Sequence, residues 1–264
     1  MKKYFVIGNP IDHSLSPKLH NNWLKKNNIN ATYDKIKLEE QEIKNFIQDI
    51  KKQKIAGCNV TVPFKKAVIP FLDKLSPESQ ATQSVNTIIF NNNVLVGHNT
   101  DIAGFNIAIK KTNFNLKGKK IFILGAGGVV PSIIFALKKM SVSEIIISNR
   151  TIEKAENLKI LFNGLKVLKW GNVPDFDMVI NATSLGLNKE EINLDFSNSG
   201  RNNLFYDVIY NPTETNFLKK GKELGNKIEN GKTMFIYQAL EAFKLWHNLE
   251  PEINKNTLKL LEND

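Results

Sequence analysis

The stretch Ile121-Phe-Ile-Leu-Gly125-Ala-Gly127-Gly128-Val-Val130 decides how the chain is read. An apolar, β-branched run meets a glycine cluster, and an apolar segment long enough for a helix follows. That is the order strand, tight turn, helix. Such a unit suits a dinucleotide. The glycines let the backbone turn sharply, and they let a pyrophosphate approach amides at the positive end of the helix. The third small residue of the pattern is replaced by Val130. On the glycines alone a plain tight turn is an equal reading, and only a second strand with a ribose-binding residue separates the two.

That second strand is Glu144-Ile-Ile-Ile-Ser148, ending in Asn149-Arg150-Thr151 with Lys154 one turn later. An acidic residue at this point would bind a ribose 2′-hydroxyl and repel a 2′-phosphate. A guanidinium instead forms paired, charge-assisted bonds with the phosphate. Alone, Arg150 reads as a surface residue at a strand end; behind the glycine loop it points to NADP. Val130 is tolerable there because its position governs helix–strand packing.

Outward from this unit, strands and helices alternate, which argues for a parallel sheet in an α/β fold. Strands are expected at 3–8, 31–38, 56–63, 120–124, 144–148, 166–168, 177–182 and 204–209. A hairpin is expected from 87–90 and 94–97 around Asn91-Asn92-Asn93. Helices are expected at 17–26, 40–50, 129–140, 233–248 and 253–261. Short ones fall at 64–72 and after Ser76-Pro77, and further helices begin at Asp101, with Phe105 and Ile109 on its apolar face, and after the cap Thr151. Ser16-Pro17 reads as a cap followed by a first-turn proline. The polar stretch 112–119 reads as a domain connection.

At 264 residues the chain is long for one domain, so two are expected. No apolar run approaches a membrane span, and the N-terminus reads as a strand rather than a signal peptide. Cys58 is the only cysteine, which fits a reducing cytoplasm. The net charge of +10 raises nucleic-acid binding. Its lysines, however, are scattered along helices beside glutamates, with no dense basic run interleaved with aromatics, so a solvated lysine-rich surface explains them better. A positive surface also draws in a polyanionic cofactor and an acidic substrate.

Three polar stretches precede the glycine loop. Ser14-Leu-Ser16 puts two hydroxyls at a helix N-terminus, where a carboxylate is favoured; capping alone would need only Ser16. In Asn59-Val-Thr61-Val-Pro63-Phe-Lys65, alternation sets Asn59 and Thr61 on one strand face, and the proline frees Lys65 to project from the next turn. Asn86 and the run Gly97-His-Asn99-Thr100-Asp101 supply polar groups at strand ends.

With these motifs the chain resembles the shikimate dehydrogenase family of the bacterial, NADP-dependent type. The ordered set spans nearly the whole length. It runs through Gly8-Asn-Pro-Ile-Asp-His-Ser14-Leu-Ser16-Pro, Asn59 to Lys65, Val85-Asn86-Thr87 and Gly97 to Asp101. It continues through Gly125 to Gly128, Asn149-Arg150-Thr151, Asn181-Ala-Thr183-Ser184, Asp207-Val-Ile-Tyr210-Asn-Pro and Gly231-Lys-Thr-Met234 with Gln238-Ala. The resemblance implies reversible reduction of 3-dehydroshikimate to shikimate in aromatic amino-acid biosynthesis. It implies an α/β substrate domain and a Rossmann-type NADP domain with a cleft between them. The corresponding segments are 1–101, 102–236 and a C-terminal segment 237–264 returning to the first.

Residue by residue, the resemblance implies that Ser14 and Ser16 hold the substrate carboxylate. Thr61, Asn86, Asp101 and Gln238 bond its hydroxyls, Tyr210 positions it, and Lys65 with Asp101 forms the catalytic pair. Gly125, Ala126, Gly127, Gly128, Val129, Asn149, Arg150, Thr151, Lys154, Thr183, Val208 and Gly231 line the cofactor site. Val129-Val130 and Lys232-Thr233 depart from the family pattern, which bears on cofactor affinity rather than on the reaction.

Without the family, Lys65-Lys66 reads as two solvated lysines and Asp101 as a helix cap. His13 reads as a loop-ordering residue and His20 as a helix surface or core-edge residue. Four histidines and one cysteine show no metal-ligand spacing. A quinate/shikimate dehydrogenase with relaxed cofactor use and a catalytically silent NADP sensor are the rival readings. The sequence leaves monomer and homodimer both open, with a small-molecule substrate and neither nucleic acid nor membrane as partner.

Overall fold

The computed structural model describes residues 1–188 and 190–261; the last three residues of the segment 237–264 lie outside them. The chain divides into two compact units, Met1–Thr100 with Gln238–Asp264, and Asp101–Tyr237.

The second unit is built on a six-stranded parallel sheet. Its strands are β7 (Lys120–Leu124), β8 (Glu144–Asn149), β9 (Leu165–Lys169), β10 (Met178–Asn181), β11 (Leu204–Asp207) and β12 (Lys227–Glu229). Their order, β12-β11-β10-β7-β8-β9, is that of a Rossmann sheet and reverses direction between β7 and β10. The period-two alternation of the strands sorts side chains into two cores. Ile121, Ile123, Ile145, Ile147, Met178, Ile180, Leu204 and Tyr206 enter one; Phe122, Leu124, Ile146, Val179 and Phe205 enter the other. Helices α4 (Asp101–Thr112), α5 (Val130–Lys139), α6 (Ile152–Leu161) and α7 (Asn216–Glu223) belong to this unit. The second core is rich in interlocking rings, with Phe196 edge-on to Phe205 at 5.4 Å. Truncating such a ring to alanine costs about 3–5 kcal/mol.

The first unit holds a mixed sheet, ordered β2-β1-β3-β5-β6-β4. Its strands are β1 (Lys2–Gly8), β2 (Ala31–Lys37), β3 (Gly57–Val60), β4 (Lys74–Leu75), β5 (Thr87–Asn91) and β6 (Val94–His98). Helices α1 (Ser16–Lys26), α2 (Ile43–Lys51) and α3 (Pro77–Thr82) accompany them. One apolar cluster joins Ile43, Phe46, Ile47 and Ile50 of α2 to Ile7, Val60, Val85 and Ile88. The C-terminal half of α8 (Lys232–His247) also packs in this unit, where Trp246 Nε1 donates to Ile88 O at 3.1 Å. Helix α9 (Lys255–Leu260) follows, capped by Asn254.

Several sequence expectations are corrected. Residues 64–72 form turns and a short 3-10 segment, Ile69–Phe71, because Pro70 cannot extend a helix. The 112–119 stretch joins α4 to β7 inside the second unit. Strands β4 and β12 are too short for any periodicity to register. Helix α7 begins at a Thr215 cap that accepts from Leu218 N. His20 is neither surface nor core edge: it is 1% exposed and stacks on Tyr33 at 4.2 Å and 4°.

Trp23, Phe243 and Trp246 close around that histidine. Neither of its ring nitrogens has a hydrogen-bond partner, and burial, aided by His247, pushes its pKa down to about 3. The folded pKa lies below the unfolded one, so stability is intact above pH ~6.5 and is lost as pH falls toward ~3. His20→Phe removes two stranded polar atoms and is expected to stabilise the fold by about 1–2 kcal/mol. Thermal melts over descending pH check this: the variant should start higher and lose less on acidification. Equal losses in both proteins would refute it.

Candidate active site

In the first unit, Asn86 is the centre of a buried polar network. The residue is 2% exposed. Its Oδ1 accepts from Thr100 N at 2.8 Å, and from the hydroxyls of Thr100 and Thr87, each at 3.1 Å. Its Nδ2 donates to Thr100 Oγ1 at 2.9 Å and to Gln238 Oε1 at 3.4 Å. The backbone draws the second polar stretch to the same place: Val60 N donates to Asn86 O at 2.8 Å and Val85 N to Lys65 O at 2.9 Å. The main chain of Val60 and Lys65 and the side chains of Asn86 and Gln238 are therefore held by one hydrogen-bonded framework. Lys65 is 8% exposed, so the reading as a solvated surface lysine is wrong for it.

The serines lie at the start of α1, but the capping arrangement differs from expectation. Leu15 occupies the N-cap position with no side-chain cap bond. Ser14 Oγ accepts from Ser16 N at 3.3 Å, and the buried Ser16 hydroxyl hydrogen-bonds the Tyr33 phenol instead. Desolvation holds that phenol well above its usual range. Tyr33 donates to Asn59 Oδ1 at 2.6 Å. Asn59 Nδ2 then donates to Asn86 O at 3.1 Å and Thr87 Oγ1 at 2.9 Å. A continuous chain thus ties Ser16 to Asn86. Tyr33 was invisible to sequence reading, since an aromatic in an alternating strand reads as core.

In the second unit, Gly125 ends β7 with φ +105°, and a Cβ on it would lie 2.8 Å from Ala182 O. Its N–H donates to Ser148 O at 2.8 Å, linking the glycine loop to the end of β8. Ala126, Gly127, Gly128 and Val129 carry the chain to α5, where Val130 N donates to Gly127 O at 3.0 Å, Pro131 has no N–H, and Ser132 N and Ile133 N donate to Val129 O at 3.1 and 3.2 Å. Val130 is fully buried in the core, packing where a smaller residue is usual. Beyond β8, Asn149 Nδ2 donates to Thr151 O at 2.6 Å, while Arg150 and Lys154 are exposed. Thr151 is the N-cap of α6 without a side-chain cap bond.

On the other side of the sheet's reversal, Thr183 donates through N and Oγ1 to Asn181 Oδ1, at 3.1 and 2.7 Å. Val208 N donates to Asn181 O at 3.0 Å, and Gly231 N to Ile209 O at 3.0 Å. A Cβ at Gly231 would fall 2.1 Å from Val208 O, so only glycine permits this approach. Tyr210 stacks on Phe235 at 4.4 Å and 25°. Asp101 opens α4 and is 5% exposed. Burial pushes the Asp207 carboxyl up to about 6, against the bonds it accepts from Thr215, Ile209 and Asn181.

A dinucleotide phosphate fits this donor set. The unit offers a loop of three glycines and one alanine, the N-terminal end of a ten-residue helix, and two cations with no acid at the second strand's end. Among the described residues no group of His, Cys, Asp or Glu could hold a metal ion, and no helix is long and apolar enough to cross a membrane.

Comparison with known proteins agrees across both units. Residues 6–88 match the family described as shikimate dehydrogenase substrate binding domain, and residues 106–208 match shikimate / quinate 5-dehydrogenase. A shikimate dehydrogenase (NADP(+)) of Pelagibacter ubique is 56% identical over 99% of this chain and 100% of its own. The chain belongs to the shikimate dehydrogenase family. A second relative so named, from Nitrosopumilus maritimus, is 37% identical over 98% of each chain. Among solved shikimate dehydrogenases, one in complex with NADP+ superposes with TM-score 0.89 at 33% identity, covering 100% of this chain and 94% of its own. The Thermus thermophilus enzyme in complex with NADP(H) and shikimate gives TM-score 0.88 at 30% identity, covering 99% and 98%.

The glycine geometry of this shikimate dehydrogenase family member makes a sharp contrast testable. Gly125→Ala should cost about 1–3 kcal/mol, from strain at positive φ and collision with Ala182 O. Gly127→Ala, whose Cβ would sit 4.0 Å from Ala182 O, should stay within about 0.5 kcal/mol. Denaturant unfolding of both variants decides, and equal costs would contradict the geometry.

Proposed function

We propose that this chain interconverts 3-dehydroshikimate and shikimate with NADP(H), within aromatic amino-acid biosynthesis. The observation that carries the reading is collinearity: the Pelagibacter relative named shikimate dehydrogenase (NADP(+)) aligns over the full length of both chains.

In this reading Ser14 and Ser16 take the substrate carboxylate. Thr61, Asn86, Asp101 and Gln238 take its hydroxyls, and Tyr210 sets its orientation. The buried Asn86 framework supports the role, because donors fixed before binding lose little entropy when the substrate arrives. When bound, the dinucleotide supplies the hydride. Charge then develops on the ketone oxygen, where an ammonium both stabilises it and delivers the proton. Lys65 is assigned that proton, with Asp101 as its partner; in oxidation Lys65 takes the proton back.

Arg150 and Lys154 are assigned the 2′-phosphate of NADP, and the glycine segment 125–129 its pyrophosphate. Asn149, Thr151, Thr183, Val208 and Gly231 line the remainder. The segments 1–101 and 237–264 would form the substrate domain and 102–236 the cofactor domain. The single buried thiol of Cys58 supports a reducing, cytoplasmic setting.

Steady-state rates with shikimate and quinate, each with NADP and NAD, test substrate and cofactor together. Shikimate with NADP should dominate, and comparable turnover of quinate with NAD would overturn the assignment. Lys65→Ala should cut turnover by about a hundredfold or more while substrate affinity changes less. Lost affinity with turnover preserved would make Lys65 a binding residue only. Arg150→Ala should raise the KM for NADP about tenfold or more and leave that for NAD nearly unchanged, the signature of a lost charge-assisted phosphate contact.

A further inference from the structure

Asp207 ends β11, and its side chain is fully buried. No step of the hydride or proton chemistry calls on it. A carboxylate in such a place is costly unless donors replace the lost water. Oδ1 accepts from Ile209 N at 3.0 Å and from Asn181 Nδ2 at 3.1 Å. Oδ2 accepts from Thr215 Oγ1 at 2.6 Å, a short charge-assisted bond.

Those donors are not scattered. Asn181 is the register partner of Asp207 on β10. Besides gripping Thr183, it donates from Nδ2 to Leu185 O at 3.0 Å, and its main-chain oxygen takes Val208 N–H at 3.0 Å. Ile209 follows Val208 directly, and its carbonyl receives Gly231 N–H at 3.0 Å. One carboxylate therefore orients the amide of Asn181. Through it, the loops after both β10 and β11 are fixed at the carboxyl ends of strands beside the sheet's reversal.

We propose that Asp207 is a positioning residue for the dinucleotide, holding Thr183 and Val208 through Asn181 in the arrangement that binding requires. Loops ordered beforehand spare the cofactor the entropy of ordering them. The inference rests on the reading of this unit as the NADP-binding one. It predicts a cofactor-specific defect, whereas a residue that merely stabilised the fold would weaken both substrates alike.

The test compares wild type, Asp207→Asn and Asp207→Ala. Asparagine keeps an oxygen for Ile209 and Asn181 and offers Thr215 an amide donor, so it should restore most of the function. NADPH binding is measured by fluorescence titration. Amide hydrogen exchange at 183–185 and 208–209 is followed in the cofactor-free protein, alongside KM for both substrates.

Asp207→Ala should bind NADPH at least about tenfold more weakly and exchange those amides about tenfold faster. Its KM for shikimate should stay within about twofold, and Asp207→Asn should bind NADPH within about threefold of wild type. If wild type does not bind NADPH, the functional reading and this inference fall together. If wild type binds and Asp207→Ala matches it, or if both KM values rise alike, only this inference falls. Should Asp207→Ala fail to fold, Thr215→Val removes the Oδ2 donor together with the Thr215 cap of α7, and lost capping by itself would weaken both substrates alike. That variant should lose affinity in the same cofactor-selective way, and wild-type NADPH affinity in it would overturn the proposal.

Discussion

At the end of β7 the chain turns at Gly125 against the carbonyl of Ala182, leaving 2.8 Å for an atom that is not there. This close approach of two backbones governs the rest of the second unit. It requires a positive φ that a side chain would strain. It also brings the loops following β7 and β10 together where the strand order reverses. Parallel strands deliver all their loops to the same edge.

Both units solve the burial of polar atoms in the same way, by networks closed upon themselves. Around Asn86, hydroxyls and amides of Thr87, Thr100, Asn59 and Gln238 satisfy one another. Around Asp207, three donors surround one carboxylate. Closed networks in low dielectric are rigid, because loss of any one bond strands its neighbour. The aromatic nest about His20 departs from this pattern, a buried imidazole stacked between rings with both nitrogens idle. Its stacking on Tyr33 contributes packing at the expense of acid stability.

The alternation of strands and helices could be read from the chain because each strand's period-two pattern feeds two distinct cores, as in Ile121 and Phe122. The turn at Gly125 could be read because its geometry is local, a positive φ directly after the strand. The Asn86 framework and the Asp207 hub could not be read this way. Their partners lie far apart along the chain, as Asn86 and Gln238 do, and polar residues paired at a distance carry no periodicity. Short elements such as β4 and β12 escaped for a simpler reason, since two or three residues cannot display a repeat. The buried state of Lys65 was hidden by its neighbour Lys66, as sequence gives both the same face value.

Cys58 lies fully buried on β3, and burial drives its thiol far above the ordinary range. The thiolate, which is the reactive form, is therefore scarcely present. With no second sulfhydryl in the chain, maleimides and other labelling reagents meet an essentially silent background. Two cysteines introduced at exposed positions, one in each unit, would be the sole reactive handles. Paired fluorescent or spin labels could then report interdomain distances in solution without first deleting a native residue.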